Sequence, residues 1–249
     1  MPDVFLTRRQ ILMQAIETTY GTDASPQASN SYQAIRLVDP FTLDLGEEHV
    51  EVTWGNLTRS FGRPIPTVRP VGVTFRTYVQ GISGSSYTST IKPPIGDLLR
   101  ACGLQEAYSS TGNGSYTYDT TADVSSDNAL TLVAHQAGYE HRILGSRGNV
   151  NFIFRAAEPV VAEFTYRGLL STAASTARSA PSGLPTVVPP RWIDSGTIYV
   201  ESMRASIENM NFNTNNTLFE QRAVTASSGS GIVQVLITDR RPGGSLDPE

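Results

Sequence analysis

The stretch Pro70-Val71-Gly72-Val73-Thr74-Phe75-Arg76-Thr77-Tyr78-Val79-Gln80 sets Val71, Val73, Phe75 and Val79 on one side and Thr74, Arg76, Tyr78 and Gln80 on the other. A period of two is a half-buried strand, with one face apolar and the other wet or against a polar partner. Two more stretches repeat the pattern. Val150, Phe152 and Phe154 oppose Asn149, Asn151 and Arg155; Ala162, Phe164 and Tyr166 oppose Glu163, Thr165 and Arg167. Gln136-Ala137-Gly138, between the strands expected at 130–135 and 139–144, is a glycine-bearing hairpin loop, and Ser146-Arg147-Gly148 reads as a further turn, so 129–170 is expected to be a four-stranded antiparallel meander. Later strands are expected at 198–200, 203–212 and 232–238. The last is apolar on both faces (Ile232, Val233, Val235, Leu236, Ile237), which predicts a central or covered strand.

One helix is predicted, over 93–104. Ile95, Leu98, Leu99 and Cys102 fall on a single stripe; Pro93-Pro94 suits the start, Asp97 and Arg100 match the macrodipole, and Gly103 supplies a left-handed cap. A helix this short needs a sheet to pack on. Cys102 is then a core residue, and no electropositive pocket is indicated that would make its thiol reactive. The fold class is therefore all-β with one flanking α-helix, an antiparallel β-sandwich or barrel in a single domain spanning 1–249.

Composition agrees. In 249 residues only 17% are charged and 39% are hydrophobic, which suits a β-rich protein partly covered by partners. The formal charge of −4 argues against a nucleic-acid binder with a basic face. The single cysteine rules out an intrachain disulfide. No segment has the ~20 apolar residues of a membrane span. The start of the chain imitates a signal peptide only faintly, since Gln14 and Glu17 interrupt its short apolar run, so a soluble protein made in the cytoplasm is expected.

Three segments lack periodicity. Residues 171–190 are rich in Ser, Ala, Thr and Pro and read as a linker loop. Residues 1–32 read as an N-terminal arm. Residues 41–69 read as a long loop that nonetheless carries Val50, Trp54, Leu57 and Phe61 among Arg59, Arg63 and Arg69. Apolar and aromatic groups on a loop cost free energy unless something covers them, and Trp, Phe and Arg are the types that anchor interfaces. These seven residues, with Tyr20 in the arm, are the candidate interface set. The alternative for 41–69 is a two-strand extension folded back on its own domain.

No catalytic, metal or cofactor site is indicated. His49 lies in Glu47-Glu48-His49-Val50-Glu51 without a second ligand at metal-binding spacing; His135 and His141 flank a hairpin and are expected to face each other as surface polar partners. No nucleophile elbow, Walker loop or dinucleotide fingerprint occurs.

Four segments carry a resemblance: Glu17-Thr18-Thr19-Tyr20-Gly21-Thr22-Asp23; Gly96-Asp97-Leu98-Leu99-Arg100-Ala101-Cys102-Gly103-Leu104; the run from Gly138-Tyr139-Glu140 to Gly148-Asn149-Val150; and Ile237-Thr238-Asp239-Arg240-Arg241-Pro242-Gly243-Gly244-Ser245. With the loop 47–69 they resemble, in order, the tail tube proteins of long-tailed bacteriophages and related gene-transfer-particle tubes. The resemblance implies a virion structural protein, not an enzyme, assembled in the bacterial host cytoplasm. Six copies would form a ring whose sheets join into one barrel, and rings would stack head to tail. The long loop 41–69 and the arm 1–32 would make the inter-ring contact. Implied partners are further copies of itself and other tail proteins (tape measure, terminator, baseplate), with DNA passing through the lumen unbound and no cofactor. Which residues line the lumen is not implied; Ser, Thr, Asn, Gln and acids are expected there, because a lysine and arginine lining would hold phosphates. The alternatives are another tail or baseplate component, the tube of a contractile device, or a secreted carbohydrate-binding β-sandwich.

Overall fold

A computed structural model describes residues 10–26, 33–50, 65–66, 68–82, 86–120, 128–136, 138–175, 184, 187–192, 198–200, 203–223 and 231–248. In chain order the elements are β1 (Ile11–Ile16), β2 (Ala34–Ile35), β3 (Thr42–Leu45), β4 (His49–Val50), β5 (Ile65–Pro66), β6 (Pro70–Tyr78), α1 (Gly96–Ala101), β7 (Leu104–Ser109), β8 (Ser115–Thr120), β9 (Leu130–Gln136), β10 (Tyr139–Arg155), β11 (Val161–Ser175), β12 (Ile198–Val200), β13 (Met203–Ala205), β14 (Ile207–Asn213), β15 (Asn216–Arg222), β16 (Ile232–Arg240) and β17 (Gly243–Pro248). The protein is all-β and antiparallel with one short helix.

Nine strands form the main sheet; seven run in the order β2-β1-β9-β10-β11-β6-β3, and β14 and β17 branch from β10. The 17-residue β10 is long enough to hold two neighbours on one side: its first half pairs with β9 and its last five residues with β14, which in turn pairs with β17. The alternating residues of β6, β10 and β11 share register, so Val150, Phe164 and Phe75 fall in one row and Gly148, Tyr166 and Val73 in the next. This apolar face packs on α1 through Leu98, Leu99, Ala101 and Cys102. Phe75 lies 5.5 Å from Phe164 and 5.9 Å from Tyr166, ring on ring. Burying side chains of this size contributes about 1.5–3 kcal/mol each.

Tyr166 spans the layers. Its hydroxyl donates to Leu98 O at 2.7 Å, and the Cys102 thiol reaches it at 3.6 Å. The ring has room because its neighbour is Gly148, where a Cβ would stand 2.6 Å from the Tyr166 ring. Burial pushes the Cys102 thiol up to about 12, so it stays protonated and inert.

On the opposite face a ribbon of β15 and β16 covers one end of the sheet. Beneath it Val68, Leu169 and Ile232 form a small second core with Tyr20 packed against it. The segment after β1 is fastened there. The buried Glu17 carboxylate accepts from Gly21 N and Gly145 N, both at 2.7 Å, and from Thr131 Oγ1 at 3.0 Å. Burial, partly offset by those donors, raises the pKa of Glu17.

Several sequence expectations are corrected. Residues 11–16 of the arm are an interior strand: Leu12, Met13, Gln14 and Ala15 are all buried between β2 and β9. Within 41–69, Thr42–Leu45 is a strand at the rim of the main sheet, and His49–Val50 pairs with Ile65–Pro66 as a small two-strand extension. The meander 129–170 has three strands, because the expected turn at Ser146 is a bulge. Gly145 adopts φ 59°, the register shifts between Leu144 and Arg147, and β10 runs on. β11 continues through Ser175, into the expected linker, most of which lies outside the described residues. The strand expected over 203–212 is broken, with β13 pairing β12 and β14 joining the main sheet. β16 pairs only with β15 among the described residues and buries Ile232, Val235 and Ile237 while Val233 is exposed. Register places His135 opposite Glu140 and His141 opposite Ala134, so the two histidines do not face each other. The helix is shorter than 93–104, covering Gly96–Ala101, with Gly103 at φ 75° as the left-handed cap requires.

Candidate assembly interface

The polar halves of the alternating strands converge on one surface. Asn149, Thr165, Thr74 and Thr42 form a row across β10, β11, β6 and β3; Asn151, Glu163 and Arg76 form the next. The register of β14 continues it on the other side, where Asn209, Asn211 and Asn213 meet Arg155, Ile153 and Asn151. Ser245 and Asp247 of β17 lie opposite Asn211 and Asn209. One face therefore runs over six strands, β17-β14-β10-β11-β6-β3, and is built mainly from Asn, Thr and Ser with a few charges.

The arginines among them are paired. Arg76 meets Glu163 at 2.9 Å and Asp39 at 4.0 Å, and Arg167 meets Glu220 at 2.9 Å. Arg222 grips Glu48 at 2.7 and 2.8 Å through both carboxylate oxygens, which raises the guanidinium pKa. Exposed pairs of this kind add little stability. Their consequence is electrostatic: among the described residues, the arginines of this face are neutralised locally and present no array of free cations. Where the β15–β16 ribbon leaves the sheet, an open cleft of about 890 Å³ lies between them, lined by Glu48, Asn149, Thr165, Arg167, Phe219 and Arg222.

The surface ends in two open strands. Among the described residues β3 pairs only with β6, and β17 only with β14. An edge strand presents a row of unpaired N–H and C=O groups, the template on which another chain adds.

The candidate residues are dispersed. Val50 sits in β4, opposite Ile65, and is 51% exposed. Arg69 is exposed and bound to Glu47 at 3.1 Å. Tyr20 is committed within the chain: its hydroxyl takes the Val235 N–H at 2.6 Å and donates to Gly145 O at 3.1 Å, while the Arg147 guanidinium stands 5.1 Å from its ring. Trp54, Leu57, Arg59, Phe61 and Arg63 lie outside the described residues. Sequence reasoning missed β14 and β17 as parts of the polar surface, although Asn209, Asn211 and Asn213 alternate with Met210 and Phe212 in the sequence itself.

Among the described residues no cluster of His, Cys, Asp and Glu is placed to hold a metal, and no helix is long and apolar enough to cross a membrane. His49 lies 3.6 Å from Glu47 with both side chains exposed. No protein-family model matches the chain. A search of curated proteins finds no significant relative.

Proposed function

We propose that this chain is a self-assembling structural subunit, a tail tube protein of the long-tailed phage type, whose copies join into rings that stack as a conduit for DNA. The observation that carries the reading is the six-strand polar face that ends on each side in a strand whose outer edge is open among the described residues. An open sheet edge is a template on which another chain can pair, and identical copies can complete it. A head-to-tail contact between one edge and the other closes into a ring when the rotation permits, and a second such contact along the axis gives an open filament.

The reading assigns the part of the polar face left open by the ribbon to the lumen. Amide and hydroxyl groups there compete poorly with water for phosphate. The arginines are already neutralised by carboxylates, so passing DNA finds few places to release counterions and stick. The formal charge of −4 per chain, repeated around a ring, supports sliding in the same way. The stacking contact is assigned to the part of 41–69 that follows β3, where Val50 is exposed.

Electron micrographs of the purified protein test the proposal. Rings or tubes of uniform width with a stain-filled centre support it. Isolated particles of monomer size at every concentration, with binding to immobilised sugars, favour the carbohydrate-binding alternative.

A further inference from the structure

The polar face accounts for one side of the open edges; the other side of the same strands is apolar and only partly covered. On β14 and β17, Met210 lies opposite Leu246 and Phe212 opposite Gly244, and next to them on β10 stand Phe154 and Phe152. Trp192 closes on Phe154 at 5.6 Å. These residues continue the apolar face that α1 covers elsewhere, since Phe152 packs against the main core. At the rim the cover runs out: Phe212 is 45% exposed and Leu246 49%. A ledge of this kind at the border of a core marks an interaction site.

The far edge of the sheet offers the complement. In β3, Leu43 and Leu45 lie opposite Val73 and Val71 on the apolar face, while Thr42 and Asp44 lie on the polar one. In β17, Leu246 is on the apolar face and Ser245 and Asp247 on the polar one. Leu45 is 48% exposed. The two free edges thus carry the same alternation. Pairing them keeps both faces continuous across the joint, whereas a slip of one residue would send Leu45 to the wet side. Both windows are short and bounded by proline, Pro40 before β3 and Pro248 at the end of β17, which removes backbone donors and limits alternative registers.

We infer that β3 of one copy pairs with β17 of the next, with Leu45 covering the ledge of Leu246, Phe212 and Met210. The inference rests on the self-assembly reading above and names the seam. It makes the contact heterologous, β3 to β17, so every copy uses both edges and no pair of copies is closed by itself.

Cross-linking tests it on the full chain. Cys102 is fully buried and serves as a silent background. The double variant Leu45→Cys/Leu246→Cys, treated with a short bis-maleimide and run on a denaturing gel, is expected to give a ladder beyond the dimer. Each single variant should lack that ladder. As a second arm, Leu246→Asp should abolish assembly while leaving the thermal midpoint of the monomer unchanged. A double variant that assembles like the parent yet gives no ladder overturns the seam and leaves self-assembly standing; normal assembly of Leu246→Asp does the same. A parent protein that stays monomeric at all concentrations overturns both.

Discussion

The Tyr20 hydroxyl accepts the backbone N–H of Val235 at 2.6 Å and donates to the carbonyl of Gly145 at 3.1 Å, so one phenol ties the segment after β1 to the bulge of β10 and to the β16 ribbon. The Arg147 guanidinium reinforces the knot, since it donates to Val235 O at 3.0 Å while lying over the Tyr20 ring. The bulge itself is shaped for the ring. A Cβ at Gly145 would stand 2.6 Å from Tyr20, and its φ of 59° disfavours any side chain. The ribbon's position over the polar face therefore depends on a residue more than two hundred positions away.

Replacing that phenol by phenylalanine leaves the packing and removes the bridge. Tyr20→Phe strands the Val235 N–H and is expected to cost about 1–3 kcal/mol, read as a lowered urea midpoint with an unchanged slope. A shift within error would mean that water serves the N–H equally well.

Core truncation on the helix is expected to be more damaging. Leu99 is 5% exposed and sits between α1 and the sheet. Leu99→Ala should lose about 2–5 kcal/mol through lost burial and the cavity left behind. A negligible loss on chemical denaturation would place the helix outside the cooperative core.

The thiol gives a probe that needs no mutation. Cys102 is fully buried with its thiol pushed up to about 12. Native protein at pH 8 is expected to leave a chromogenic disulfide reagent unconsumed until denaturant is added, and then to react once per chain. Prompt reaction in buffer would show that the helix end opens.

Glu17 sets a pH dependence. Burial raises its folded-state pKa above the ordinary carboxylate value, so the folded protein holds that proton more tightly than the unfolded chain. Its contribution is fully present below the unfolded pKa and is lost as pH rises through the raised folded one. The urea midpoint of the parent minus that of Glu17→Gln should fall across that window and level off above it. A difference that instead rises with pH would show that the three donors to the carboxylate outweigh its burial.

Much of the polar surface is legible in the sequence because each of its strands is half buried. Thr74 and Arg76, Asn149 and Asn151, and Glu163 and Thr165 alternate with apolar partners, and the structure sets them side by side. The helix is legible for the same reason, from the stripe Ile95, Leu98, Leu99 and Cys102. Strands without a wet face are not. Ile11–Ile16 is buried on both sides, so no alternation marks it and it reads as part of an arm. The β7–β8 hairpin hides for the opposite reason. Tyr116 meets Tyr108 at a tilt and Tyr87 edge-on, and their sequence neighbours are mainly Ser and Thr, without apolar contrast. Gly243 and Gly244 in β17 belong to a residue type depleted from strands. Gly244 is required there by close approach, since a Cβ would stand 2.2 Å from Asn211 O. Tyr20 reads as an interface residue because its long-range partners, Gly145 and Val235, have no local signature. The two rims at β3 and β17 are a property of pairing order, which periodicity along one strand does not contain.

Assembly requires the sheet to be completed by other copies of the chain. Light scattering during size-exclusion chromatography over a wide concentration range tests this most directly. The expected result is a mass that climbs in whole multiples of the chain toward rings and longer assemblies. A single peak at the mass of one chain throughout would contradict it.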